Sequence, residues 1–143
     1  MMLQFYKMTG ADNDFVMVDN RDLALSNVLS QGNVADICNR RFGVGADGLI
    51  SVEPAQGAGE VRMRHYLADG SESGWNSSAA MCFSAFVDFL MDGDMPEFSF
   101  ETSEGLVKAV VNDDDTVTIQ SAGEMLTGSS LIVFRGEVII CEE

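Results

Sequence analysis

The chain has 143 residues, enough for one domain with a real core, and a hydrophobic fraction of 46% excludes a disordered polymer. Asp plus Glu number 23 against 8 Lys plus Arg, a formal charge of −15, which argues against nucleic acid and anionic membrane surfaces as partners. Three cysteines (Cys38, Cys82 and Cys141) form no even disulfide framework and no Cys-x-x-Cys pair, and a single histidine gives no basis for a zinc site. No apolar run approaches the roughly 18 residues that span a bilayer. The first ten residues, "MMLQFYKMTG", lack the apolar core of a secretion signal. A reduced, cytoplasmic chain without a zinc site is the simplest expectation.

In chain order, "LQFYKMTG" and "DFVMVDNR" read as strands around a polar turn, "TGADND". "SNVLSQGNVADICNRRFG" predicts a short helix capped by Asn33, with Val34, Ile37 and Phe42 on one side and Gly43 as its stop. "DGLISVEP" and "VRMRHYLADG" follow as strands separated by the turn "AQGAGE". Residues 77 to about 91 have almost no polar face, so a helix there must be surrounded by protein; Asn76 or Ser77 caps it and Gly93 ends it. "EFSFETS", "GLVKAVVN" and "TVTIQ" are three more strands, with "NDDDT" as a hairpin loop. Residues 121 to 130 read as a linker. "SLIVFRGEVII" closes the chain as a strand pair, or as one long strand bent at Gly136. The sum is α+β: a curved, mostly antiparallel sheet or barrel wrapped around one central apolar helix.

Three stretches carry a family resemblance. "FYKMTGADNDFVMVD", "RRFGVGADGLI" and "ADGSE" at 68 to 72 stand in the order and spacing seen in diaminopimelate epimerases. That family's first motif is Phe-x-Lys-Met-x-Gly-x-Gly-Asn-Asp-Phe. Its Asn-Ala-Asp-Gly-Ser-Glu turn leads to Cys-Gly-Asn-Gly-x-Arg-Cys at a helix start. The resemblance implies cofactor-independent epimerisation of LL- to meso-diaminopimelate, a step of lysine and peptidoglycan precursor biosynthesis. It also implies a two-lobed parent about twice this long, in which a thiol from each lobe faces the substrate's α-carbon. Backbone N–H groups at the glycine-rich helix starts hold the substrate carboxylate.

Carried over residue by residue, the pattern breaks where the chemistry sits. The catalytic thiol of the first lobe corresponds to Asn76, Gly-Asn-Gly to Ser77, Ser78 and Ala79, the motif Arg to Met81, the leading Asn to Leu67, and the second Gly of the first motif to Asp12. Asn13, Asp14, Phe15, Asp47 and Cys82 survive. "LTGSSLIVFRGEVI" resembles the family's closing strand, which returns to the first lobe. The expected organisation is a single domain, 1–143: a first lobe at 1–120, a shortened junction at 121–125 in place of the second lobe, and a returning strand at 126–140. An excision that keeps the returning strand implies a truncated, engineered derivative.

An amide cannot act as the proton-abstracting base. The expected product is therefore an inactive scaffold, with Asn76 as a helix cap and Asn13, Ser77 and Ser78 as substrate-binding remnants that hold a carboxylate only weakly. Asp12, Asp14 and Asp69 are the remaining candidate bases for an isomerase working between two copies, though in solvated settings. Cys82 is expected to be a buried packing thiol, Cys38 to sit on the short helix, Cys141 near a frayed end, and His65 on the surface or barrel face. Trp75, with Leu67 and Met81, is expected to cover surface left by the missing lobe or to anchor a homodimer.

Overall fold

The structure, a computed structural model, describes residues 1–10, 12–121 and 123–140. Cys141 therefore lies outside the described residues. Among the described residues nine strands and two helices run in the order β1 (Met2–Gly10), β2 (Asn13–Asp19), α1 (Gln31–Cys38), β3 (Gly48–Pro54), β4 (Val61–Leu67), α2 (Ser77–Leu90), β5 (Glu97–Thr102), β6 (Gly105–Val111), β7 (Val117–Ser121), β8 (Glu124–Gly128) and β9 (Ser130–Ile139). All nine strands belong to one sheet, ordered β8-β7-β6-β5-β4-β3-β2-β1-β9.

That order dictates the curl. The two edge strands, β8 and β9, are consecutive in the chain and only Ser129 separates them. A flat sheet would hold them far apart, so the sheet must bend until its edges meet, and it bends around α2. The sheet is mixed: β2–β3 and β4–β5 pair in parallel and the other neighbours antiparallel. β9 lies on β1 from Met2↔Ile139 to Gly10↔Ser130, so the closing and opening strands share the sheet as expected. It is one strand, and its irregularity falls at Val133, between the pairs Lys7↔Phe134 and Met8↔Ile132, not at Gly136.

Residue parity explains the two cores. On the inner face, Met8, Phe15, Met17, Ile50, Val52, Met63, Phe98, Phe100, Val107 and Ile119 pack with Ala79, Phe83, Phe86 and Val87 of α2. On the outer face, Leu3, Phe5, Val16, Val18 and Leu49 pack beneath Val34, Ile37 and Cys38 of α1. Strands covered on both faces read as unbroken apolar runs, as in "FVMV" of β2; β6, covered only inside, alternates.

Four expectations need correction. The 121–130 stretch is not a linker: Glu124–Gly128 pairs with β7 along its length, so the segment expected to return at 126–140 divides between β8 and β9. α1 is capped by Ser30, whose Oγ accepts from Asn33 N at 3.2 Å, and Asn33 instead donates its side-chain amide to the Val28 carbonyl. Phe42 falls beyond the end of α1 and is 70% exposed. Of the two placements expected for His65 the surface is excluded and the barrel face holds: it is buried, because it shares the inward parity of Val61 and Met63 on β4, and its ring meets Phe15 edge-on at 5.5 Å. No described helix is long and apolar enough to cross a membrane.

Candidate functional site

The site to test is the start of α2 and the loop that feeds it. Residues 67 to 76 are held by local hydrogen bonds. Gly70 N–H donates to the Leu67 carbonyl and Leu67 N–H to that of Ser71, while Asp69 Oδ1 accepts from both Ser71 N (2.9 Å) and Ser71 Oγ (2.6 Å). Those Ser71 bonds hold the Asp69 carboxyl below its ordinary value. Gly70 has φ +85, and a side chain there would collide with the Gln31 carbonyl of α1, so glycine is the residue this turn can use. Further along, Glu72 bridges to Tyr66 and pairs with Arg64, Ser73 N–H donates to the His65 carbonyl, and Trp75 N–H donates to Glu104.

Asn76 then opens the helix. Its backbone is extended (φ −149), and its side-chain Oδ1 accepts from Ala79 N at 2.9 Å while its carbonyl accepts from Ala80 N. The amide is therefore engaged as an N-cap. At the far end Gly93, φ +76, returns its N–H to the Asp88 carbonyl and stops the helix. Ser77 and Ser78 occupy the first turn, half-buried.

Asn13 sits at the β1–β2 turn and donates Nδ2 to Asp47 Oδ2 at 3.2 Å. Asp14 and Asp47 exchange backbone-to-carboxylate bonds of 3.0 and 3.1 Å, and Asp14 also pairs with Arg40 at 2.8 Å and Lys7 at 3.2 Å. The Arg40 guanidinium, helped by Asp47 N–H and Lys7, holds the Asp14 carboxyl well below the carboxylate range despite partial burial. Asp14 is thus tied up as a structural anion, and Asp12 is exposed. Among the described residues no hydrogen bond links Asn13 to residues 76 to 78.

The described thiols are withdrawn from solvent. Burial pushes Cys82 up to about 12 and Cys38 up to about 11, the latter with Asp14 adding to the rise. Cys82 lies against Gly10, where a Cβ would stand 2.8 Å from its Sγ. Burial also pushes His65 down, a backbone contact with Gly74 opposing it, and its Nδ1 has no partner among the described residues. No three His, Cys, Asp or Glu side chains gather as a metal site among the described residues.

Trp75 and Met81 both pack against the inner core, Met81 also lying over Gly128, whereas Leu67 is 42% exposed at the end of β4. Sequence reasoning missed Glu104, Lys7 and Arg40. Lys7 and Arg40 stand in the quoted motifs, but that they converge on Asp14, and that Glu104 reaches Trp75 from 29 residues away, is set by the fold and not by spacing.

The family model described as "Diaminopimelate epimerase" matches residues 5–129. This chain belongs to the diaminopimelate epimerase family. Among relatives in that family, the chloroplastic diaminopimelate epimerase of Oryza sativa subsp. japonica is 35% identical over 130 residues, covering 90% of this chain and 36% of its own length. The diaminopimelate epimerase of a Picosynechococcus strain is 32% identical over 133 residues, covering 92% and 47%. The chain thus spans between about a third and a half of the curated relatives it matches. Solved structures with the same fold include a hydroxyproline epimerase from Agrobacterium vitis, TM-score 0.59 at 16% identity over 82% of this chain and 41% of that one. A methylitaconate-delta-isomerase superposes with TM-score 0.65 at 10% identity, covering 98% and 96%.

Proposed function

We propose that this chain is a single-lobe derivative of a diaminopimelate epimerase that keeps the lobe as a folded scaffold and does not catalyse epimerisation. The observation that carries the reading is the state of Asn76. At the position corresponding to the family's thiol, the side chain is an amide already used to cap α2. Among the described residues, Cys82 is buried with a raised pKa, Asp14 is ion-paired, Asp69 is bound by Ser71, and Asp12 is exposed to solvent. The division into a lobe at 1–120, a junction at 121–125 and a return at 126–140 is supported by the tight β7–β8 connection and by the seating of β9 on β1. A junction this short is what a deliberate excision would leave. The buried free thiols of Cys38 and Cys82 suit a reducing, cytoplasmic setting.

The test is solvent exchange. Incubation of the full chain with meso-diaminopimelate in D2O, followed by mass spectrometry, should show α-deuteration no faster than in buffer. Enzyme-dependent deuteration would overturn the reading.

One observation favours a residual role beside this. Asn76 takes the N–H groups of Ala79 and Ala80, which leaves those of Ser77 and Ser78 as the donors of a 14-residue helix start. An interaction of about 0.3–1 kcal/mol with a carboxylate is what one such helix end supplies, so binding is weak.

A further inference from the structure

We infer that the cleft between Trp75 and the β7–β8 hairpin binds a small organic cation, an alkylammonium or alkyldiammonium. The cleft has a volume of about 280 Å³ and is lined by Trp75, Glu104, Ile119, Ser121, Glu124 and Leu126. That volume lies at the small end for ligand sites, which suits a short aliphatic chain.

The lining selects for charge and shape together. The indole of Trp75 presents an aromatic surface whose quadrupole attracts cations. Trp75 is also fixed in place: its side chain packs on the inner core and its N–H donates to Glu104. Glu104 is held in turn, since its own N–H donates to Thr102 Oγ1 at 3.1 Å and that hydroxyl donates to the Gly105 carbonyl at 2.8 Å. Only Oε2 of Glu104 is engaged with Trp75. Glu124, across the cleft at the start of β8, has no hydrogen-bond partner for its carboxylate among the described residues.

Neither carboxylate is neutralised. Glu72 pairs with Arg64, Glu97 with Lys108 and Glu101 with Arg62, whereas no basic group lies within ion-pair distance of Glu104 or Glu124 among the described residues. Among the described residues no lining side chain is basic. Both carboxylates line the cleft without an ion-pair partner, so a cation entering it meets two acceptors of opposite charge. Ile119 and Leu126 supply the apolar wall for methylene groups. The net charge of −15 raises the local concentration of cations and repels anions, so this site and the donors of Ser77 and Ser78 take opposite classes of ligand.

Trp75 is the only tryptophan, so its fluorescence reports on the cleft directly. The full chain is titrated with 1,4-diaminobutane at constant ionic strength, following both indole emission and the amide and indole N–H shifts of Trp75, Ser121 and Glu124 by NMR. A saturable change in both readouts is expected, with 1,4-butanediol and sodium chloride producing none. The E104Q/E124Q double variant should bind about tenfold more weakly. E124Q alone, at an exposed position, should weaken binding in the same direction even where the double variant fails to fold. E137Q, which removes a charge from β9, should leave binding unchanged. The inference fails if neither readout saturates, if the diol acts like the diamine, or if E137Q weakens binding as much as E124Q.

Discussion

Replacing Asn76 by alanine tests whether the residue at the family's thiol position now serves stability. The substitution removes the acceptor of the Ala79 N–H, 2.9 Å away, at the mouth of a helix whose buried face forms the inner core. Loss of an N-cap of this kind costs about 1 kcal/mol. A chain of 143 residues unfolds with an entropy near 0.3 kcal/mol/K, at about 2.1 cal/mol/K per residue. The melting midpoint of N76A should therefore fall by about 3 °C. N76D and N76S keep an oxygen acceptor and should stay within about 1 °C of the parent. N76C, whose sulfur is a weak acceptor, should melt near N76A. Its new thiol, at a helix N-terminus, should alkylate with iodoacetamide far faster than Cys38 or Cys82. Calorimetry on the four variants reads the stability series, and peptide mapping reads the alkylation. An N76A midpoint equal to the parent's would refute the capping argument, and with it the claim that the amide is occupied.

Gly10→Ala should destabilise by about 1–3 kcal/mol, because its Cβ would press on the Cys82 sulfur, and C82A in the same chain should recover part of the loss in denaturant melts. Phe83→Ala, at a fully buried ring that meets Phe100 at 4.7 Å, should cost about 3–5 kcal/mol by the same measurement. Asp14 contributes stability through a depressed carboxyl, so that contribution is complete above the unfolded value of about 3.9 and fades as pH falls below it. D14N should accordingly be less stable than the parent at pH 7, and the gap should close in melts run at successively lower pH below about 4. At pH 7.5 a thiol reagent should spare Cys38 and Cys82 in the folded chain and label both in denaturant, as peptide mapping would show.

The strands from β1 to β7 were legible because alternation and turn chemistry act locally. β8 was not: "SAGEMLTGSS" is rich in small turn-forming residues, and its strand character comes from pairing with β7 across a turn where Gly123 has φ +83. The parallel pairings of β2 with β3 and β4 with β5 depend on crossovers, which periodicity does not encode. His65 could have been placed by parity with Val61 and Met63, but its neighbours Arg64 and Tyr66 made the strand look exposed. At the site, the capping role of Asn76 was readable from residue type and position. The cluster of Lys7, Asp14, Arg40 and Asp47 was not, since its members come from β1, β2 and the stretch between α1 and β3.

Except for β1 with β9, every strand in this sheet pairs with its neighbour in sequence. The five antiparallel pairs among β1 to β8 close through short turns, the two parallel pairs need the crossovers that carry α1 and α2, and a loop of nearly the whole chain is closed only when β9 docks on β1. Folding should be limited by that event or completed by it. Weakening β9 therefore slows refolding in the first case and hastens unfolding in the second.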